Sequence, residues 1–166
     1  QRQLTTYMGC KHVYGMDICF DLQDVYAALT EICNLRFELQ RHLQKEIRHL
    51  LKVDKSYVYL DVTNTYMEMD FSREGTLPQK GVSKDHKTEP IIQMGLLLDS
   101  NGMPLLHECF PGNTSDTLVL QPMVEQVRKS GMTTGRIIVV ADKGLNSGKN
   151  IDYLCNDGNG YVFSQI

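Results

Sequence analysis

The chain changes its hydrophobic period at Ser56, and this change constrains the fold more than any other sequence feature. From Leu22 to Leu51 apolar residues recur at spacings of three and four, which is typical of amphipathic helices that face a core. Asn34 can divide this stretch into two helices. After Ser56 the apolar residues come in short runs rich in β-branched and aromatic types, which favours strands. The sequence therefore predicts an N-terminal helical segment over residues 1–55 and a separate domain over residues 56–166.

The second domain alternates strand-like and helix-like runs in an order that predicts its fold class. An Asn-Gly step at residues 101–102 favours a hairpin between two of the strands. The order is a three-stranded antiparallel meander followed by two helix–strand units, which predicts an α/β fold with a ribonuclease H-like mixed sheet flanked by helices. The predicted strands are Tyr57–Thr63 with an alternating continuation over Tyr66–Phe71, Ile91–Leu98, Leu105–Phe110, Arg136–Ala141 and Tyr161–Ser164, and the predicted helices are Leu118–Val127 and Ser147–Cys155.

Composition excludes several classes of protein. Hydrophobic residues make up 42% of the chain and charged residues 22%, the balance of a soluble globular protein. The longest apolar run, residues 137–141, is too short to span a membrane as a helix. The five cysteines are an odd number without tight pairing, which favours free thiols in a reducing cytosol. The net charge of −3 gives no electrostatic argument for a nucleic-acid partner.

Two carboxylates stand out because of where they lie in the predicted strands. Asp61 is inside the first strand, where an unpaired buried charge would be costly, and Asp142 directly follows the run that ends at Ala141. Ligands gather at the carboxyl ends of neighbouring strands in an α/β sheet. A pair of carboxylates there can bind a hard divalent cation and leave positions open for phosphate and water. Either aspartate taken alone is better explained as the cap of a helix or loop, and it is the two together in this topology that favour a ligand site.

Several short motifs, taken in order, resemble those of a known family. The chain resembles the DDE transposases of bacterial insertion sequences, in the branch whose ribonuclease H-like core is interrupted by a β-rich insertion. The resemblance covers about residues 22–166, and the ordered set of motifs is more specific than any one of them. The motifs are Tyr57-Val-Tyr-Leu-Asp-Val-Thr-Asn-Thr, Gly81-Val-Ser-Lys-Asp-His-Lys, Gln93-Met-Gly-Leu, Gly102-Met-Pro-Leu, Phe110-Pro-Gly-Asn-Thr-Ser-Asp and Val139-Val-Ala-Asp-Lys-Gly.

The resemblance implies an activity and a cofactor. Asp61 and Asp142 match the first two catalytic, metal-binding aspartates of the family. Together with a third acid they would hold two Mg²⁺ or Mn²⁺ ions for phosphodiester hydrolysis and DNA strand transfer. The family's third acid is a glutamate on a later helix, and no residue of this chain matches it. The chain starts at Gln1 and ends in an apolar run, so we expect a fragment truncated at both ends and inactive alone.

The resemblance also implies partners and a location. We expect the protein to bind the terminal repeats of its element and target DNA, to form a homodimer in the synaptic complex and to be cytoplasmic and nucleoid-associated, without a membrane. The basic loop over residues 79–88 would contact the DNA backbone, although its composition equally fits a solvated hairpin loop. Lys143 stands where the family usually has arginine, which keeps the charge but not bidentate phosphate contact. The residues assigned to DNA binding are Lys84, His86, Lys87 and Lys143.

The residues are also compatible with two other functions. The run Asp61-Val-Thr-Asn-Thr65 superficially matches the nucleophile strand of haloacid dehalogenase-type aspartyl phosphotransferases. That fold needs crossover helices between parallel strands, so a helix directly after residue 65 would favour it. The absence of the third acid also permits a catalytically inactive remnant that binds DNA or its own partner.

Overall fold

The computed structural model describes residues 8–10, 12, 14–15, 20–50, 57–69, 74–81, 89–133 and 135–164. The chain divides into two compact units, Gln1–His42 and Leu43–Ile166. The described elements are helical up to Leu50, and from Tyr57 onward they form a β-sheet with associated helices.

Two consecutive helices confirm the predicted break near Asn34. Helix α1 covers Leu22–Asn34 and helix α2 covers Arg36–Leu50. A reciprocal capping box starts α1, because the Asp21 side chain accepts from the Asp24 backbone N–H and the Asp24 side chain accepts from that of Asp21. Helix α1 has no buried residue, so the expectation that its apolar face packs on a core is wrong.

Five strands of the described residues form a mixed sheet in the spatial order β3-β2-β1-β4-β5. Strand β2 pairs antiparallel with both β1 and β3, whereas β4 pairs parallel with both β1 and β5. This arrangement confirms the predicted ribonuclease H-like mixed sheet. The strands are β1 Tyr57–Tyr66, β2 Ile91–Asp99, β3 Pro104–Pro111, β4 Ile138–Ala141 and β5 Gly160–Phe163.

Most of the turns and strand ends match those predicted from the sequence. Gly102 has a φ of 77° in the turn between β2 and β3, which explains the glycine of the Asn-Gly step. The predicted continuation of the first strand over Tyr66–Phe71 is wrong in its described part. Strand β1 ends at Tyr66, residues 67–69 have no regular structure, and residues 70–73 lie outside the described residues.

Two helices connect the later strands, and each is preceded by a short 3₁₀ turn. Helix α3 covers Leu120–Lys129 and helix α4 covers Gly148–Asn156, as the sequence predicts. Their preceding turns are Asp116–Leu118 and Lys143–Leu145. Pro122 falls in the first turn of α3, where its missing N–H costs no hydrogen bond.

The core of the sheet unit lies on one face of the sheet. Alternate residues of β1 and β2 are buried there, together with Val139 of β4 and the inner face of α3. The opposite face of β1 leaves Tyr57 and Tyr59 exposed. The fully buried apolar side chains include Val58, Ile91, Leu97, Leu120, Met123, Val124, Val127 and Val139.

Within the described ranges, no helix is long and apolar enough to cross a membrane. The four cysteines that the structure describes, Cys10, Cys33, Cys109 and Cys155, are free thiols, as expected from their number and spacing.

Candidate functional site

The chain reverses its direction of sheet growth between β1 and β4. From β1 it adds β2 and β3 on one side, and it then adds β4 and β5 on the other. The ladder between β1 and β4 ends at the pair Leu60–Ala141, whereas β1 continues to Tyr66. Among the described residues, the second half of β1 therefore has no strand on this side. Such a switch point, outside the carboxyl ends of parallel strands, is where α/β sheets bind ligands.

Asp61 and Asp142 each follow the last residue pair of this parallel ladder. Leu60 is paired with Ala141, so the next residue on each strand is one of the two aspartates. Neighbouring strands lie about 4.8 Å apart, and residues level with each other in a parallel ladder point to the same face. The two predicted residues thus each lie one residue beyond the last pair of the ladder, Asp61 within β1 and Asp142 in the turn that follows β4.

Solvation at Asp61 differs from the expectation for a charge inside a strand. The Asp61 side chain is exposed, on the same face of β1 as Tyr57 and Tyr59. Its carboxylate therefore keeps its hydration, and no burial penalty arises. The prediction that Asp61 would be a costly buried charge is wrong, because this face of the strand is exposed to solvent.

Asp142 begins the turn that follows β4. Its Oδ1 accepts a hydrogen bond from the Gly144 backbone N–H at 3.0 Å, which makes it the N-cap of the turn Lys143–Leu145. Asp142 and Lys143 are both exposed. A capping role and a ligand role are compatible, because a carboxylate has further lone pairs on both oxygens.

Asp116 is a third carboxylate at this edge, and sequence reasoning did not assign it to the site. A methyl group on the Gly144 Cα would lie 3.2 Å from Asp116 Oδ2 and 3.2 Å from Asp142 Oδ1, so these two oxygens are at most 6.4 Å apart. From the local sequence pattern, Asp116 is assigned only to the start of a helix. The feature that could have pointed to the site is its position at the end of the motif Phe110-Pro-Gly-Asn-Thr-Ser-Asp.

A buried asparagine holds the two acid-bearing turns together. Asn150 is 1% exposed, and its Nδ2 donates to Thr117 O at 3.0 Å and to Leu145 O at 2.9 Å. One carbonyl belongs to the turn of Asp116 and the other to the turn of Asp142. Because both bonds come from one buried amide, the separation of the two turns is fixed by the fold.

A cavity of about 780 Å³ opens beside the second half of β1. Eight of its twelve lining residues have polar side chains, and Lys80 and Asp116 are the charged ones among the described residues that line it. The cavity has the size of a small-molecule or nucleotide site. Its lining consists of residues 62–64, Lys80, Gly81, Gln93, residues 112–116 and Gly144.

Two glycines allow the segment that carries Lys80 to pack against the start of β2, beside this cavity. Gln79 and Ile91 exchange backbone hydrogen bonds of 3.0 and 2.9 Å, which attach the segment to the start of β2. A methyl group on Gly81 would lie 1.9 Å from Gly112 O, and one on Gly112 would lie 2.0 Å from Ile91 O. Only glycine allows these backbones to approach so closely.

The basic loop continues from Gly81, but three of the four residues assigned to DNA binding lie outside the described residues. These are Lys84, His86 and Lys87. Lys143, the fourth, is exposed directly after Asp142. DNA binding by all four stays a prediction.

No third protein ligand completes a metal cluster among the residues that the structure describes, where no group of three or more His, Cys, Asp and Glu side chains could hold an ion. Three other acidic residues of the sheet unit do not line the cavity. Glu125 forms an ion pair with Lys129, Asp157 forms one with Arg128, and Asp152 is exposed on α4. The family's glutamate therefore has no counterpart in the described part of the chain.

No protein-family model matches the chain, and no curated protein matches it. Among solved structures, a Mos1 transposase paired-end complex with left transposon end is similar with a TM-score of 0.44 and 14% identity, over 76% of this chain and 42% of that one. A pre-cleavage Mos1 transpososome is similar with a TM-score of 0.44 and 14% identity, over 86% and 51%. A piggyBac transposase synaptic complex with hairpin DNA is similar with a TM-score of 0.42 and 11% identity, over 65% and 22%.

The chain thus spans about half or less of the length of each of these three proteins. The TM-scores and identities describe a loose similarity of chain path.

Proposed function

We propose that residues 56–166 form the incomplete catalytic core of a DDE transposase, which hydrolyses a DNA phosphodiester and joins the released 3′ end to target DNA. The observation that supports the proposal is the parallel ladder of β1 and β4, whose last pair, Leu60 and Ala141, directly precedes Asp61 and Asp142 at the switch point of the sheet. The motif resemblance assigns the same two residues to catalysis. The helices of residues 1–55 are accessory to this core.

The two aspartates fit a hard divalent cation. Both are exposed carboxylates at the carboxyl edge, and oxygen ligands of this kind bind Mg²⁺ or Mn²⁺. When bound, the ions would activate the attacking oxygen and balance charge on the leaving oxygen, with two expected in the complete site. Asp142 is oriented for this role by its bond to the Gly144 N–H. A glutamate outside the described residues would complete the ligand set.

Two described basic residues would contact the DNA. Lys143 adjoins Asp142 in sequence and Lys80 lines the cavity, so each can place a positive charge near a bound phosphate. Lys84, His86 and Lys87 would extend this contact along the backbone. We further propose a homodimer acting on terminal repeats and target DNA, within the cytoplasm at the nucleoid.

The sheet topology disfavours the aspartyl phosphotransferase alternative. Strand β2 follows β1 and pairs antiparallel with it. Residues 67–69, 74–81 and 89–90, the described part of the connection, contain no helix. The haloacid dehalogenase-type fold requires a helical crossover to a parallel strand at this point, so Asp61 lacks the setting of that nucleophile.

The test is DNA cleavage by the full-length protein with Asp61→Asn or Asp142→Asn. An amide cannot replace an anionic oxygen ligand, so each variant should lose at least about 100-fold in cleavage of a terminal-repeat substrate with Mg²⁺. Asp152→Asn removes the same charge at an exposed position of α4 and should cleave normally. Near wild-type cleavage by the Asp61 and Asp142 variants would refute the proposal, and an inactive wild-type protein that binds DNA would favour the remnant.

A further inference from the structure

Asp116 and Asp142 form a carboxylate pair on the two sides of Gly144. The oxygens that face Gly144 are at most 6.4 Å apart. Among the described residues, neither aspartate has an ion pair. Two like charges held this close by the fold repel each other, and a cation between them would relieve that repulsion.

Each carboxylate of the pair has one oxygen in a hydrogen bond that fixes its orientation. Asp116 Oδ1 accepts from Gln93 Nε2 at 2.6 Å, and Asp142 Oδ1 accepts from the Gly144 N–H at 3.0 Å. Hydrogen bonds of this kind orient the ligating carboxylates of metal sites. An ion about 2.1 Å from each ligand oxygen joins oxygens up to about 4.2 Å apart, so carboxylates separated by as much as the 6.4 Å limit would have to move toward each other by about 2 Å to share it.

Gln93 supplies an independent indication of a ligand. Its side chain is 5% exposed and lines the cavity beside Asp116. Its Nε2 donates to Asp116, but its buried Oε1 has no hydrogen-bond partner among the described residues. A buried acceptor without a donor is destabilising, because it has lost its hydration without gaining a partner. A water molecule carried by a cation would supply that donor, since Mg²⁺ usually keeps several waters when it binds to protein.

We propose that Asp116 and Asp142 bind one hard divalent cation, with Gln93 Oε1 accepting from a water of that cation. Asp116 and Asp142 would hold this ion as a pair, which agrees with the absence of a three-acid cluster among the described residues. The inference deepens the proposed function and rests on it for any role in strand cleavage. Cation binding itself is a property of this chain that can be measured without DNA.

The first test is titration of the 166-residue chain with Mn²⁺, with free Mn²⁺ followed by electron paramagnetic resonance and Mg²⁺ added as competitor. Asp116→Asn and Asp142→Asn should each weaken Mn²⁺ binding by at least about tenfold. Asp152→Asn is the matched control for loss of one negative charge and should bind as the unmodified chain does. A thermal melt of each variant establishes that the fold is kept.

The second test changes the geometry without changing the charge. A methyl group at Gly144 would touch both carboxylates at 3.2 Å, so Gly144→Ala should displace them and weaken Mn²⁺ binding by a smaller factor. A methyl group at Gly148 would meet no atom within 4 Å, so Gly148→Ala is the control.

The outcomes separate this inference from the proposed function. Equal Mn²⁺ binding by Asp116→Asn and Asp152→Asn overturns the inference, whether or not Asp61→Asn and Asp142→Asn abolish DNA cleavage. Weaker binding by Asp116→Asn supports it, even if Asp61→Asn still cleaves DNA and the proposed function fails. Loss of binding in Asp152→Asn as well would show diffuse charge attraction and would also overturn it.

Discussion

Helix α1 and strand β2 have apolar residues at regular spacing, yet their side chains end in different surroundings. Tyr26, Leu29 and Ile32 of α1 are 42, 42 and 53% exposed. Ile91 and Leu97 of β2 are fully buried. Local interactions such as the capping box hold α1, whereas β2 is held by neighbours distant in sequence. The difference shows that an amphipathic pattern specifies an element without specifying what covers it.

The largest expected effect is on the buried strand. Leu97→Ala should cost about 2–5 kcal/mol in free energy of unfolding, because it removes apolar contacts and leaves a cavity in the core. Leu29→Ala, at an exposed position of α1, should change it by no more than about 0.5 kcal/mol. Urea unfolding of both variants measures the difference. Equal losses of unfolding free energy would mean that α1 is covered in solution, and they would contradict the difference described between α1 and β2.

Asn150 tests whether one buried side chain links distant parts of the sheet unit. Asn150→Ala should cost about 1–3 kcal/mol, because the carbonyls of Thr117 and Leu145 lose their common donor. The matched change in α1 is Thr30→Ala, which removes an exposed bond to Tyr26 O and should have little effect. Hydrogen exchange would show the loss as faster exchange in the 116–118 and 143–145 turns. Unchanged exchange there would contradict the linking role.

The capping box tests the local character of α1. Asp21→Ala should destabilise the helix by about 1 kcal/mol, because the Asp24 N–H loses its acceptor. Asp21→Asn keeps an N-capping oxygen and is the control. Hydrogen exchange of residues 22–34 should rise in the alanine variant, while exchange in β1 and β2 stays as it was. A parallel rise in the strands would show that the two regions unfold together.

The smallest expected effect is a pH dependence in the sheet unit. Burial of Tyr153 on α4, with the negative charges of Glu125 and Asp157 nearby, raises the pKa of its phenol above the ordinary 10.0, against an opposing effect of Arg128. The protonated phenol favours the folded state, so this contribution is complete below pH 10.0 and is lost as pH rises through the folded-state pKa.

Tyr153→Phe cannot ionise, so its stability should fall less steeply than that of the unmodified chain above pH 10.0. Urea unfolding at neutral and alkaline pH, with tyrosinate absorbance recorded in parallel, measures the two slopes. Identical slopes would mean that the phenol ionises alike in the folded and unfolded chains.

Local sequence signals were enough to identify most elements of the fold. The change of period at Ser56, the Asn101-Gly102 turn and Pro122 near a helix start each act over a few residues, and the corresponding elements are present. The predicted pair of aspartates depended on β1 and β4 being neighbours, and the structure pairs these two strands in parallel.

Tertiary structure decided the environment of the side chains. Asp61 is exposed and α1 has no buried residue, since burial depends on which surfaces meet and not on the period of one segment. Gln93, Asp116 and Gly144 come together from three separate elements, and no local pattern marks them as neighbours. The elements can be recognised from the sequence alone, because the interactions that define them are short-range along the chain. The carboxylate pair and the buried amide beside it are close together only in the folded chain, because the sheet brings residues that are distant in sequence within a few ångströms of one another.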